Sequence, residues 1–427
     1  MAEGRVIGHS LLLRGGVLVG TAAVVLLNSR VLGAEGQGQV AVFQLGLLLI
    51  SAVSGFIAGG TVVYLNQHWP LRSLWRAGHL WMAVSALAVT AGLAVVGGFP
   101  LWGANGLAGW LQASIVFHGQ ILLATGAVRA HNRLAFTQTA LLATFLLSAF
   151  MLGWRSLEGF VAALILALAW TAGDAAWRVR KSLGPSVPFD ARVWSELWRL
   201  GRSAQTGALL QLLTNRLPFT WLARLGASGA AVAGLFSIAF YGMEAMWTAA
   251  RALAPVLHAR TAGTSDRGER LASTRAFALL TAGLAAGLWS VAMALPEAGY
   301  ARAFGVAGIR EVLAALGPAV LAGSVAGLLS HHLSGIGQHR WNAWTSGAGL
   351  VAVVVCGALW YAPYGAVGAA AAASVAGGVQ VVGLAWGLHR EERMRLAEWM
   401  PRRSDWHQLR ANKSVTPIKR DDSNPSA

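Results

Sequence analysis

Tyr361-Ala362-Pro363-Tyr364-Gly365-Ala366-Val367-Gly368-Ala369-Ala370-Ala371-Ala372-Ala373-Ser374-Val375-Ala376 joins one apolar run to the next with a single proline-glycine turn. The run before it covers 343–360 and the run after it extends to 388, each about the length that crosses a hydrocarbon core. A glycine and a proline between two such runs give a hairpin too tight for a loop domain. The small residues after the turn let a helix approach its neighbours closely, as helices in a bilayer do.

The same pattern fills the chain. Of 427 residues, 56% are hydrophobic and 12% are charged, against about a quarter charged in soluble domains. Apolar runs appear at 11–27, 40–63, 80–98, 107–128, 134–152, 159–177, 204–223, 230–250, 276–295, 312–329, 343–360 and 365–388. Strand alternation of the outer-membrane kind is missing. The fold class read from this is all-α, a polytopic membrane protein of about twelve transmembrane helices. The first run follows Arg5, and Leu32-Gly33-Ala34 has the look of a weak cleavage site. Recurrence of its pattern later in the chain favours an uncleaved first helix. Cys356, the single cysteine, lies inside an apolar run and allows no intramolecular disulfide.

The net charge of +16 sits in short loops, so it reads as topology rather than as a nucleic-acid footprint. One side holds Arg5, Arg72, Arg76, Arg129, Arg133, Arg178, Arg180, Lys181, Arg199, Arg202, Arg251, Arg260, Arg270, Arg340 and the basic tail. The other side holds only Arg30, Arg155, Arg224, Arg302 and Arg310. The positive-inside rule therefore places both termini in the cytoplasm. Trp69, Trp102, Trp154, Trp177, Trp221 and Trp360 fall near run ends, as an interfacial belt does.

Leu32-Gly33-Ala34-Glu35-Gly36, leading to Phe43, returns as Leu225-Gly226-Ala227-Ser228-Gly229, leading to Phe236. Both copies form the turn between the first two helices of a half, where glycine suits positive φ. The halves are then two parallel six-helix bundles, with a substrate cavity expected between them. The expected organisation is an N-terminal bundle at 1–180, a linker at 181–203, a C-terminal bundle at 204–390 and a basic tail at 391–427. Trp194, Leu197, Trp198 and Leu200 in the linker predict an interfacial helix lying flat on the inner leaflet. The tail predicts a charged helix over 391–400 and a disordered end over 410–427.

Several of these segments resemble polysaccharide flippases of the multidrug/oligosaccharidyl-lipid/polysaccharide exporter superfamily, over most of the chain. Asn28-Ser29-Arg30-Val31-Leu32-Gly33 resembles that family's turn after the first helix. Asn215-Arg216-Leu217 and Leu225-Gly226 through Phe236-Ser237-Ile238-Ala239 resemble its seventh and eighth helices. Ser334-Gly335-Ile336-Gly337-Gln338 and Pro363-Tyr364-Gly365-Ala366-Val367-Gly368-Ala369-Ala370 resemble its last three. Pro218 stands where members often carry an acid, which weakens any ion-coupling role for the seventh helix. The resemblance implies a monomeric flippase of the bacterial inner (cell) membrane. It would move a polyprenyl-pyrophosphate-linked glycan among membrane lipids by alternating access, with no cofactor beyond coupling to an H+ or Na+ gradient.

Charge and polarity inside apolar runs mark candidate sites. Arg216 suits a phosphate-bearing headgroup, since a guanidinium binds phosphate bidentately; its plain alternative is snorkelling to the interface. Glu244 suits ion exchange or gating, or else pairs with Arg251 or Arg216. A rise of ~1.5 Å per residue puts Arg216 and Glu244 roughly 10 Å apart in depth, so depth alone does not assure a direct pair. Arg14 reads as a cavity-mouth residue or a topogenic charge. His118, near Gln112 and Gln120, reads as sugar- or proton-linked, or as one end of an interhelical hydrogen bond. Asn215, Gln44 and Gln211 complete the candidate cavity lining. Asp174 is expected to pair with Arg178. His331, His332 and His339 read as a solvated loop, without metal-ligand geometry.

No nucleophile motif, phosphate loop or paired-carboxylate pattern is present in the sequence. The rival readings are a multidrug or metabolite cation antiporter of the same superfamily, a polysaccharide polymerase or ligase, and a scaffold in an export complex. The short connection at 296–311 argues against the polymerase, which needs a large catalytic loop.

Overall fold

The computed structural model describes residues 2–185, 188, 190–250, 254–394 and 396–399; the side chains of 2–11, 14, 204, 255, 259, 396 and 397 are outside that description. Among the described residues the regular structure is entirely helical. In chain order the helices are α1 (Ala2–Ala58), α2 (Thr61–Leu65), α3 (Leu71–Val96), α4 (Trp102–Ala124), α5 (Val128–Met151), α6 (Leu157–Arg180) and α7 (Arg192–Ala223). They continue as α8 (Gly229–Ala250), α9 (Ala254–Gly263), α10 (Arg267–Ala294), α11 (Glu297–Phe304), α12 (Ile309–Ala315), α13 (Gly317–Gly335) and α14 (Arg340–Glu392).

Two of these are hairpins rather than single helices. α1 breaks at Gly33 (φ 69°) and α14 at Gly365 (φ 52°). A side chain in that left-handed region clashes with its own carbonyl, so glycine is the residue that turns the chain there. Gly226, the repeat partner of Gly33, also has positive φ, at 74°. Counting each arm of α1 and α14, together with α3 to α8, α10 and the bent pair α12–α13, gives twelve spans among the described residues, with α7 counted by its length and place in the bundle since it is less apolar than the rest. The α12–α13 bend is 48°. It falls just before Pro318, at the start of α13, which has no N–H to continue the ladder. Within α7, Pro218 likewise gives no N–H to the Thr214 carbonyl, yet the helix runs on.

The core divides by halves. One buried cluster takes residues from Val24 to Leu197, around Phe43, Phe117 and Phe160. The other is built around Phe219, Phe236, Phe240 and Tyr361, with Val25 and Ala41 from the first half reaching into it. The halves meet where the second arm of α1 crosses α8. A Cβ on Gly38 would overlap the Ala230 carbonyl, and one on Gly234 would overlap the Ala34 carbonyl. Beside this crossing, Gln37 Nε2 donates to Ser237 Oγ at 3.2 Å.

At the Gly33 end the halves also clasp each other twice. Arg30 Nε donates to the Ala303 carbonyl at 2.7 Å, and its Nη2 donates to the Arg302 carbonyl. Arg224 Nη2 donates to the Gly97 carbonyl at 2.7 Å. Arg30 lies three residues before Gly33 and Arg224 two before Gly226, so each half lends an arginine beside the same turn to a corresponding connection of the other. The accepting carbonyls close α11 and cap α3, where helix dipoles favour a cation.

Three expectations need correction. The amphipathic linker segment is not a separate helix on the leaflet but the first turns of α7. No glycine-proline break separates it from the span, and Val193 and Leu197 are fully buried in the N-terminal core. Trp198 stacks on Phe56 at 5.5 Å and meets Trp81 edge-on at 5.7 Å. The charged helix over 391–400 is also shorter than expected. α14 ends at Glu392, Arg393 turns left-handed, and a 3-10 turn follows at Leu396–Trp399. His332, expected in solvent, is fully buried. Its Nδ1 lies 2.6 Å from Thr274 Oγ1 and its Nε2 3.5 Å from Glu392, which Arg270 holds with two bonds of 2.8 and 3.0 Å. The residues from 400 onward, including the segment read as disordered, lie outside the described residues.

With Cys356→Ala as background, single cysteines at Arg155 and Tyr364 should react with an impermeant thiol reagent from one face of sealed vesicles. Those at Ser182 and Ser265 should react from the other face. Labelling of all four from one face would contradict the twelve-span topology.

Candidate functional site

Side chains in a helix lean toward its N-terminus. α7 runs toward the Gly226 turn and α8 runs away from it, so Arg216 leans away from the turn and Glu244 leans toward it. The two converge. Arg216 Nη2 donates to both carboxylate oxygens of Glu244, at 2.7 Å each. Depth along the helices leaves out this convergence, which is what turns the open possibility of a direct pair into contact. Arg251, the other partner considered for Glu244, lies outside the described residues.

The guanidinium sits in an aromatic cage, with its carbon 5.2 Å from the Phe240 and Tyr241 ring centres and 5.4 Å from that of Phe219. Such contacts favour a desolvated cation. Arg216 Nη1 is buried without a partner. The side chain of Arg216 is 12% exposed and that of Glu244 is 29% exposed, so the carboxylate is the more accessible of the two.

Glu244 faces a cavity of about 570 Å³ between the halves, walled by Val17, Leu18 and Thr21 of α1 and by Asn215, Tyr241 and Trp247 of α7 and α8. Arg216 stands behind Glu244 rather than on this wall. A second cavity of about 260 Å³ opens within the first half, lined by Gln44 with Asn28, Gln37, Gln112 and Gln138. It shares Thr21, Val25 and Tyr241 with the central cavity, and Tyr241 donates its hydroxyl to Gln44 Oε1. A third, of about 350 Å³, lies within the second half between α7, α13 and α14. Gln211 lines that one and bridges toward the centre. It accepts from Ser346 Oγ at 3.3 Å and donates to Asn215 Oδ1 at 3.1 Å.

The predicted site residues thus divide. Arg216, Glu244 and Asn215 come together at the centre, Gln44 joins them through Tyr241, and Gln211 joins them through Asn215. His118 does not. Its ring is 97% buried, packs 5.1 Å from His79, and neither nitrogen has a hydrogen-bond partner, which corrects the expected interhelical hydrogen bond. Arg14 lies in α1, with its side chain outside the described residues. Asp174 pairs with Arg178 at 2.8 Å, away from the cavities. Tyr241, Asn28, Gln37 and Gln138 were missed. The amides carried a legible signal, polar groups within apolar runs, whereas the part played by Tyr241 depends on which residues cross it.

No protein-family model matches the chain, and no curated protein sequence matches it. Solved structures do. One is the lipid II flippase MurJ in an inward closed conformation, with TM-score 0.73, 10% identity, and 95% of this chain and 90% of that chain covered. A second is an inward-facing multidrug resistance MATE family transporter of the MOP superfamily, with TM-score 0.65, 13% identity, and 88% and 94% covered. A third is the Vibrio cholerae MATE transporter VcmN in its bent form, with TM-score 0.56, 16% identity, and 91% and 98% covered. The chain has the fold of these polytopic MOP-superfamily transporters. At such identities the likeness speaks for the fold, and the same fold serves a lipid flippase and multidrug transporters.

Breaking a buried pair leaves one charge stranded, at about 3 kcal/mol or more, while replacing both partners with apolar residues is near neutral. Arg216→Leu and Glu244→Leu should therefore each lower the thermal midpoint of the detergent-purified protein, and the double variant should recover most of the loss. Additive losses would contradict the pairing.

Proposed function

We propose that this chain is a flippase for a lipid-linked oligosaccharide in the bacterial inner membrane, with both termini cytoplasmic and acting as a monomer. The observation that carries the reading is Arg216. It is held by one carboxylate, keeps an unpartnered Nη1, and stands behind a cavity whose other polar lining groups among the described residues are neutral. A phosphate oxygen can displace the Glu244 carboxylate and take two or more guanidinium donors, a strong, charge-assisted arrangement. Protonation of Glu244, or its capture of Na+, would free Arg216 in the same way, which is the route by which an ion gradient would couple.

In this mechanism the pyrophosphate headgroup enters the cavity between the halves while its lipid tail stays in the bilayer. The Arg30 and Arg224 clasps hold the Gly33 end closed, and release of both lets the halves rock so that the cavity reopens there. A specific observation favours the second reading, a cation antiporter: Glu244, not Arg216, is on the cavity wall.

The test is translocation of a polyprenyl-diphosphate-linked oligosaccharide in vesicles, read as its loss from the face exposed to a sugar-cleaving enzyme. Arg216→Ala should slow it by at least about tenfold, and Arg216→Lys should recover it only in part, since an ammonium lacks the planar fork. Unchanged translocation in Arg216→Ala, with proton-linked uptake of a cationic dye by the unmodified protein, would overturn the flippase reading in favour of the antiporter.

A further inference from the structure

We propose that the recess in the first half is a saccharide-binding subsite, selective for uncharged sugars rich in hydroxyl and amide groups. The proposal rests on the flippase reading above and adds to it the part of the substrate that the Arg216 pair does not recognise.

Five carboxamides converge on the recess from separate segments: Asn28 on the first arm of α1, Gln37 and Gln44 on the second, Gln112 on α4 and Gln138 on α5. Their bonds to one another leave groups unused. Gln138 Nε2 donates to Gln112 Oε1 at 2.8 Å, so the amide nitrogen of Gln112 and the amide oxygen of Gln138 remain. Tyr241 occupies Gln44 Oε1 and leaves the Gln44 amide nitrogen. Gln37 spends its nitrogen on Ser237, and its Oε1 has no partner; neither does Asn28 Oδ1. Both of these side chains are 99% buried. The recess therefore offers donors and acceptors together.

The rest of its wall is apolar, including Val24, Leu47, Leu142 and Leu164. No charged side chain lines it among the described residues. A phosphate or carboxylate would find no cation there, and an organic cation no carboxylate. A wholly apolar ligand would strand the unpaired amides at their full desolvation cost. A pyranose meets both demands, because its C–H faces pack on apolar side chains while its hydroxyls, or an acetamido group, both donate and accept. The recess adjoins the central cavity, with Thr21, Val25 and Tyr241 lining both, and Tyr241 is a neighbour of Arg216. A sugar in the recess and a phosphate at Arg216 are thus placed as parts of one headgroup.

The experiment uses probes without phosphate, so that it reads the recess alone. An alkyl glycoside of an N-acetylated amino sugar, and the same alkyl chain ending in one hydroxyl, are titrated into the detergent-purified full chain and followed by native mass spectrometry. The unmodified protein should bind the glycoside about tenfold more tightly, as two or three net hydrogen bonds allow. Gln112→Leu combined with Gln138→Leu should erase that preference and leave affinity for the alkyl alcohol unchanged. If the double variant does not fold, Gln138→Leu alone, at a half-buried position, should lower the preference by at least about threefold. No preference in the unmodified protein, or a preference retained in these variants, overturns the proposal and marks the recess as a hydrated void. Failure of the flippase reading shows separately, as unchanged translocation in Arg216→Ala.

Discussion

A guanidinium cannot stay buried among three aromatic rings in a membrane-spanning bundle without a counter-charge, and Glu244 is the one that Arg216 reaches. Placing either charge alone in hydrocarbon costs a few kcal/mol even on the lenient insertion scales. The pair thus fixes α7 against α8 and sets one face of the central cavity. It also makes that face responsive. Whatever relieves Glu244 of its charge, or competes for it, changes what Arg216 needs, and the other polar groups on that cavity wall, Thr21, Asn215, Tyr241 and Thr248, are neutral and offer no substitute.

The halves that enclose this pair are held by a repeated device. Glycine turns at Gly33 and Gly226 reverse the chain at one end, and beside each turn an arginine reaches across to carbonyls of the opposite half. Below the clasps, the glycine-on-backbone crossing at Gly38 and Gly234 brings the second arm of α1 and α8 into direct contact. The clasps are exposed hydrogen bonds and the crossing is dry packing. The first are easily exchanged for water, while the second is close backbone packing that, in the mechanism proposed above, would serve as the fulcrum.

Much of the fold was legible because the bilayer imposes a simple rule: apolar runs of spanning length become helices. The turns at Gly33, Gly226 and Gly365 were readable because only glycine suits their backbone. The linker was misread because amphipathicity alone does not distinguish a leaflet from a protein surface, and Trp81 and Phe56 supply the surface here. The site was legible in its residue types and less so in its pairings. Arg216 and Glu244 stood out as charges in apolar runs, but their contact depends on the opposite lean of side chains on antiparallel helices. His332 was placed in solvent because its partners, Thr274 and Glu392, are 58 and 60 positions away in the chain.

The central claim is that an anionic headgroup and Glu244 compete for Arg216. Binding of a short-chain polyprenyl diphosphate to the detergent-purified protein, measured by isothermal calorimetry, tests it most directly. Removing the competing charge in Glu244→Gln should tighten binding, and Arg216→Ala should abolish it. Binding that weakens in Glu244→Gln, or survives in Arg216→Ala, would contradict the account.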